Sequence, residues 1–481
     1  MRRSFTKIVA TIGPSTNTPE MISKLLEAGV DVFRLNMSHG DHAGHTAVVK
    51  AIRAASVAAA RPVGILCDIS GPKIRIGMIP EGPLELVEGQ VITLTTDQVD
   101  GTAELVSVSY PKLPRDVRVG QRVLLDDGLL EWEILDIDGA NVRCRVVRGG
   151  PLSSRKGLNL PNTQLSLSSI TEKDRLDIEW GLENDVDMFA ISFVRTADDV
   201  REARGYMESL GGDLPLIAKI EKTEAVEDIV NIINEADGAM VARGDLGVEI
   251  PIEQVPHVQK KVIRLCNRLG KPVITATQML DSMIRSARPT RAEVTDVANA
   301  IMDGSDAVML SGETAAGRFP IEAVQMMHSI AHETEKNLDH QHWLSMRHIS
   351  ESNAVQDAIT ISTAMVARDI QAAAILCLTQ GGSTVHRISR YRPQMGILAY
   401  CPLARTAQQL CLSWGVTAHA REGAVEVEVE RRQGAEVQIR KAVSLFRDRD
   451  ILQSGDTLVV CAGLPLHQPG TTNLLRVITI D

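Results

Sequence analysis

Arg34, Asn36 and Ser38 recur two residues apart in "FRLNMS", so in an extended chain all three side chains leave the same face. Lys219 and Glu221 repeat that spacing in "IAKIE", Asp68 ends the apolar run "GILCDI", Asp245 lies in "ARGDLG", and Thr277 and Gln278 close "VITATQ". Delivered to one rim, Glu221 and Asp245 offer hard oxygen ligands to a divalent cation that keeps positions open for substrate and water. Magnesium or manganese suits such a pair, because no His or Cys stands beside either acid. Lys219 would then be a fixed positive charge that neutralises a transferring or developing anion. Gly244 and Asp245 open a helix, where unpaired N–H groups suit a carboxylate or phosphate. Each feature alone has a plainer alternative: a strand-end ion pair, an interior lysine, an ordinary helix start.

The elements that would carry these residues alternate short apolar runs with helical stretches. "KIVATIG", "VFRLN" and "VGILCDI" come first, then "DMFAISFV", "LPLIAKI", "DGAMVAR", "KPVITAT" and "DAVMLS". Near-continuous apolar strands followed by helices are what a parallel sheet covered on both faces requires. Three units before residue 70 and five after residue 165 make eight, which predicts a TIM (β/α)8 barrel with its reactive residues at the carboxyl ends of the strands. Between them the period changes to two, as in "NVRCRVV", with turn signals at Asp100-Gly101, Asp127-Gly128 and Asp138-Gly139. That pattern predicts an inserted all-β domain. The α/β barrel is expected over 1–70 and 166–340, the insertion over 71–165, and a C-terminal open α/β domain over 341–481. Gly71-Pro72 and Leu165 mark the two crossings into the insertion.

The last domain shows helix "NAVQDAITISTAMVARDI", strand "AAAILCLT", loop "QGGST" and helix "VHRISRYR". A strand–loop–helix of this kind makes Thr379, Gly381, Gly382, Ser383 and Thr384 a candidate phosphate cradle, with Arg387, Arg390 and Arg392 adding positive charge nearby. A plain tight turn would look the same.

Composition narrows the function. The 481 residues exceed one ordinary core, and 61 acidic against 51 basic residues give a formal charge of -10, which argues against a general nucleic-acid or membrane-surface role. Seven scattered cysteines without a Cys-x-x-Cys pair support neither a disulfide framework nor a zinc site. No apolar run reaches membrane-spanning length, so a soluble cytoplasmic protein is expected.

Taken together, "FRLNMSHG", "GPKIRIG", "RKGLNLP", "ISFVR", "IAKIE", "VARGDLGVE", "TATQMLDSM", "RPTRAEVTDVANA" and "MLSGETA" resemble the pyruvate kinase family, in the family's order and over essentially the whole chain, with a looser match at the C-terminus. The resemblance implies phosphoryl transfer from phosphoenolpyruvate to ADP in glycolysis, giving pyruvate and ATP. It implies that Glu221 and Asp245 hold magnesium, with a second divalent ion arriving on the nucleotide. The backbone at Gly244 and Asp245, with Thr277, would seat the substrate carboxylate. Arg34 and Lys219 would contact the transferring group, Arg75 a phosphate, and a water relayed through Thr277 and Ser311 would protonate the enolate. Asn36, His39 and Lys156 match nucleotide-side positions, which makes the inserted domain a lid.

Many members of the family carry Glu where this chain has Lys73 and require potassium, held by groups matching Asn36, Ser38, Asp68 and the carbonyl of Ile69. Others carry Lys and do not, so Lys73 implies that potassium is not required here. Ile69 and Ile76, where potassium-requiring relatives tend to have Thr, point the same way. The resemblance further implies a sugar-phosphate or nucleotide activator at the C-terminal loop and a homotetramer. Two other readings stay open: a metal-dependent barrel aldolase or lyase acting on pyruvate enolates, which would need no nucleotide lid, and an inactive sensor, which would not need the acids and lysine that are all present.

Overall fold

A computed structural model describes residues 4–161, 163, 165–345, 354–421, 434–465 and 470–481. Eight strands close a parallel barrel: Lys7–Thr11, Val32–Asn36, Gly64–Ile69, Met188–Ile191, Leu216–Ile220, Gly238–Ala242, Val273–Ala276 and Ala307–Leu310. The eighth strand pairs with the first, Lys7 opposite Ala307, so no strand edge is left open. The three-plus-five count read from the apolar runs is therefore the count of the barrel. Helices start where the sequence supplies caps. Thr171 and Asp174 form a reciprocal capping box before Glu172–Glu183, and Thr290 and Glu293 do so before Arg291–Met302.

Two apolar shells hold the barrel. Its strands bury their outward faces against the helices, and Val9, Val32, Leu66, Met188, Ile217, Met240, Ile274 and Met309 fill the interior together with Leu412. Leu412 belongs to a short turn, Leu410–Leu412, of the C-terminal domain, so that domain plugs the barrel's N-terminal mouth. Arg392 fixes the junction. Almost wholly buried, it donates to Asn267 Oδ1 at 2.9 Å, the Gly304 carbonyl at 2.6 Å and Asp306 Oδ1 at 3.1 Å.

The inserted domain is β-rich: a six-stranded sheet, a two-stranded sheet and one short helical turn, Leu113–Asp116, packed around Trp132. Asp138-Gly139 makes the hairpin between Leu130–Asp138 and Asn141–Arg148, and Asp127-Gly128 the one before it. Asp100-Gly101 is different. The strands on either side, Val91–Thr95 and Leu105–Ser107, pair in parallel, so the chain loops over rather than turning back.

The first crossing needs glycine. Gly71 has φ 65°, and a Cβ there would stand 2.9 Å from the Ser192 carbonyl oxygen. Beyond it the two crossings run side by side: Arg75 bridges Gly157 antiparallel, and Leu158 N–H donates to the Ile74 carbonyl at 2.9 Å.

The C-terminal domain is a five-stranded sheet with four parallel strands and an antiparallel edge, Thr472–Thr479. Its helix Ala354–Asp369 covers the expected stretch, whose first residue, Asn353, lies outside the described residues. One parallel strand, Val416–Ala420, has no clear signal in the sequence. It is short, and Thr417 and His419 interrupt the apolar run that marks its neighbours. Among the described residues no helix is long and apolar enough to cross a membrane.

Candidate active site

Four charged side chains from three strand ends meet at the C-terminal rim. Arg34 Nε donates to Asp68 Oδ2 at 2.6 Å, and Lys219 Nζ lies 3.2 Å from Asp68 Oδ1 and 2.9 Å from Glu221 Oε1. Arg34 also donates to Thr11 Oγ1 at 3.1 Å, on the first strand. The two-residue spacing explains the Lys219–Glu221 contact, since both side chains leave the same face of the fifth strand.

Burial sets the electrostatics. The side chains of Asp68 and Glu221 are 2% and 1% exposed. Burial alone would raise the Asp68 pKa, yet Arg34 and Lys219 outweigh it and hold the carboxyl below its ordinary value. Lys219 feels the reverse contest: burial works against its charge, and Asp68 and Glu221 hold it above its ordinary value. Glu221 is left short of positive charge. Its burial and the neighbouring Asp245 raise its pKa against the pull of Lys219.

That imbalance bears on a metal. Glu221 Oε2 accepts the Phe193 N–H at 2.7 Å, while Oε1, buried and within ion-pair distance of Lys219, takes no aligned hydrogen bond. A buried carboxylate oxygen without an aligned donor suits a divalent cation. Asp245, on the helix Arg243–Glu249 after the sixth strand, is the second acid, with Lys73 Nζ 3.5 Å from its Oδ1. Among the described residues no group of three or more His, Cys, Asp or Glu side chains is arranged to hold a metal, so a cation here would draw its other ligands from substrate and water.

Thr277 stands across from this pair in an unusual backbone state. Both Thr277 and Gln278 have positive φ, 71° and 54°. Non-glycine residues held there carry strain that surrounding structure must impose. Arg243 imposes it: its guanidinium donates to the carbonyls of Ala276 at 3.2 Å and Thr277 at 2.8 Å, and pairs with Asp296 at 2.7 Å. Gly244 N–H then faces Thr277 Oγ1 at 3.3 Å, and a Cβ on Gly244 would meet the Thr277 methyl at 3.0 Å. Ser311 N–H donates to Glu313 Oε2 at 2.7 Å, and Glu313 Oε1 accepts from Leu280 N–H, which ties the seventh and eighth strand ends together.

The remaining expected residues are more dispersed. Asn36 registers opposite Asp68 and accepts the Ser38 N–H at 3.2 Å through its side chain; Ser38 Oγ reaches Ser70 Oγ at 3.1 Å. His39 is exposed, and Ile69 is buried in the third strand. Arg75 donates to the Arg155 carbonyl at 3.1 Å, and Lys156 pairs with Asp126 at 2.7 Å within the inserted domain. In the C-terminal loop Gly382, at φ 87°, donates its N–H to Thr379 Oγ1 at 3.0 Å. Nothing would crowd a Cβ on Gly381, and Thr384 Oγ1 is engaged with Thr472 Oγ1 at 2.6 Å. The three arginines after the loop are each held by partners, though Arg387 and Arg390 share one carboxylate. Arg387 and Arg390 pair with Asp357 at 2.5 and 2.9 Å, and Arg392 is spent on the barrel.

Besides Arg243, the site uses Ser192 and Lys222, which residue type alone does not mark. Ser192, at the end of the fourth strand, accepts from Lys219 Nζ at 2.7 Å and donates to Asp68 Oδ1 at 3.3 Å. Its place right after "FAI" was the available clue. Lys222 follows Glu221 and pairs with Glu249 at 2.6 Å.

Comparison with known proteins agrees with this geometry. Residues 2–324 match the pyruvate kinase barrel domain and residues 357–478 the pyruvate kinase alpha/beta domain. The chain is 46% identical over 474 residues to a pyruvate kinase of Staphylococcus saprophyticus, covering 98% of this chain and 80% of that one. It is 45% identical, with the same coverage, to a pyruvate kinase of Staphylococcus aureus strain USA300. With both domains matched and the barrel rim assembled, the chain belongs to the pyruvate kinase family and is a phosphotransferase.

Proposed function

We propose that this protein transfers the phosphoryl group of phosphoenolpyruvate to ADP with magnesium or manganese, yielding pyruvate and ATP. The observation that carries the proposal is the buried Arg34–Asp68–Lys219–Glu221 network at the rim, beside Asp245, in a chain of this family. Glu221 and Asp245 would hold the divalent cation, which supplies charge neutralisation to the phosphoryl oxygens. Arg34 and Lys219 face the same group, and positioning with electrostatics is most of what phosphoryl transfer asks of a protein. The phosphorus–enol oxygen bond breaks as a bond to the terminal phosphate oxygen of ADP forms. The enolate left behind takes a proton at carbon three, delivered by water held at Thr277 and Ser311.

The N–H groups at Gly244 and Asp245, with Thr277, would seat the substrate carboxylate. Gly244→Ala should therefore push on the Thr277 methyl and lower kcat/KM for phosphoenolpyruvate about tenfold at little cost to stability. An unchanged kcat/KM would remove that contact from the site. Asn36, His39, Arg75 and Lys156 would face the nucleotide from the rim and the inserted domain, which acts as a lid over 71–165 and excludes competing water. A carbon–carbon lyase would have no use for that lid. The glycine loop at Thr379–Thr384 would take a phosphorylated activator, and the protein would act as a cytoplasmic homotetramer.

The direct test is purified protein with phosphoenolpyruvate, ADP and magnesium, followed by pyruvate formation; no ADP-dependent pyruvate would overturn the proposal. Lys73 adds a second expectation. Its ammonium lies at the rim beside Asp245, and one such charge at about 4 Å and an effective dielectric near 20 interacts with a unit negative charge by roughly 4 kcal/mol before desolvation. A tethered cation of that strength replaces a bound monovalent ion. Activity with magnesium in a tetramethylammonium buffer should nearly equal activity with potassium added, and a large stimulation by potassium would refute the role of Lys73.

A further inference from the structure

The two crossings between barrel and lid form a ribbon whose ends are fixed to the barrel by Gly71 N–H on Asp174 Oδ1 at 2.9 Å and by Arg195 on the Leu165 and Leu167 carbonyls at 3.0 Å, and farther out two side-chain ties land on one seven-residue helix, Arg243–Glu249. On the outgoing crossing Lys73 Nζ sits 3.5 Å from Asp245 Oδ1 and 5.9 Å from the centre of the Phe193 ring. On the returning crossing Asn159 Nδ2 donates to Glu249 Oε1 at 2.9 Å, and Lys222 Nζ reaches the same oxygen at 2.6 Å.

The two ties differ in exposure. The side chains of Lys73 and Asp245 are 28% and 29% exposed, whereas Asn159, Lys222 and Glu249 are each buried. A part-exposed ion pair at 3.5 Å contributes little and opens readily. A buried carboxylate shared by two donors does not, because opening it would strand polar groups away from water. The helix itself is held against the seventh strand by Arg243, so it serves both ties as a fixed anchor.

We infer that this helix couples divalent-cation loading to lid position, Lys73 and Asn159 acting as positioning residues. A divalent cation on either oxygen of Asp245 places two positive charges beside the Lys73 ammonium, which stands 3.5 Å from Oδ1, and repels it. A divalent cation that takes Asp245 displaces the ammonium and opens the tie on the outgoing crossing, while Asn159, Glu249 and Lys222, with Arg195 below them, still hold the returning one. No bond to substrate is needed for this, so the lid responds to the cation before nucleotide arrives. The inference rests on the assignment of Asp245 as a metal ligand under the proposed function.

The test uses the full chain without substrates. Manganese is titrated and free ion read by electron paramagnetic resonance. Spin labels at Val119→Cys on the lid and Val230→Cys on the barrel, both exposed positions, report lid distance as magnesium is added. Six of the seven native thiols are buried, which keeps labelling selective. Lys73→Met should bind manganese roughly fivefold tighter than the parent, the factor a part-exposed ion pair represents, and Lys73→Arg should restore the parent affinity. Magnesium should change the label distance in the parent and leave it unchanged in Lys73→Met, whose outgoing tie is already open. Equal manganese affinity in Lys73→Met, or a parent label distance indifferent to magnesium, would overturn the coupling. Asp245→Asn separates the two levels: if it binds manganese as the parent does, the metal-site assignment itself falls.

Discussion

Lys219→Met should lower kcat about a thousandfold, the loss expected when a preorganised charge aimed at the reacting group is removed. The geometry makes the effect specific. Lys219 is the single cation that touches both Asp68 and Glu221 among the described residues, so its removal alters the field at the transferring group and the balance of the acids together. Asp68 keeps Arg34, but Glu221 keeps only the Phe193 N–H, and losing Lys219 pushes its pKa further up. Breaking a buried pair in this way costs about 3 kcal/mol, so the variant should also melt at a lower temperature while remaining folded. The pH profile separates chemistry from stability. Because Asp68 and Glu221 hold Lys219 above its ordinary pKa, the parent should show no lysine titration in kcat between about pH 6 and 9. A folded Lys219→Met protein with parental turnover would exclude Lys219 from the reaction.

Much of this centre was legible because parallel strands deliver their last residues to one rim. A polar residue ending an apolar run is conspicuous, and Arg34, Asp68, Lys219 and Glu221 all announce themselves that way. Ser192 did not, since a serine after a strand is too ordinary to mark a site. Arg243 was present in "ARGDLG" but carried no hint that it clamps the carbonyls of residues 276 and 277; that depends on strand six lying beside strand seven. The engagement of the arginines after the C-terminal loop is invisible in the sequence for a related reason. Their partners, Asp357 and Asp306, are 30 to 86 residues away in the chain, a distance across which sequence spacing carries no pairing information. Local pattern decides strands and turns, whereas long-range partners decide which charges stay free. The Asp100-Gly101 loop shows the same limit, because a turn dipeptide does not say whether the next strand pairs with the last in parallel or antiparallel.

Glu221→Gln should abolish both turnover and the stabilisation that magnesium confers. The substitution keeps the side-chain length and an acceptor for the Phe193 N–H, so the loop after the fourth strand stays in place. It breaks the buried pair with Lys219, but Lys219 keeps Asp68 and the lost carboxylate is one whose burial already opposes ionisation, so stability without magnesium should fall less than in Lys219→Met. With magnesium the two proteins should part. A ligand at one hundred times its Kd stabilises the folded state by about 2.7 kcal/mol, and the parent should show a rise in Tm of that origin. In Glu221→Gln one of two protein ligands has lost its charge, and the same magnesium should leave Tm unmoved while kcat falls about a thousandfold. Asp245→Asn should behave likewise but retain more of the effect, because Asp245 is more exposed and water can take its place. Equal magnesium stabilisation in parent and Glu221→Gln would place the cation elsewhere. The ordering of the two variants follows from burial: the acid that has lost more of its hydration to the fold gains more from a cation, and Glu221 is the more deeply buried of the pair.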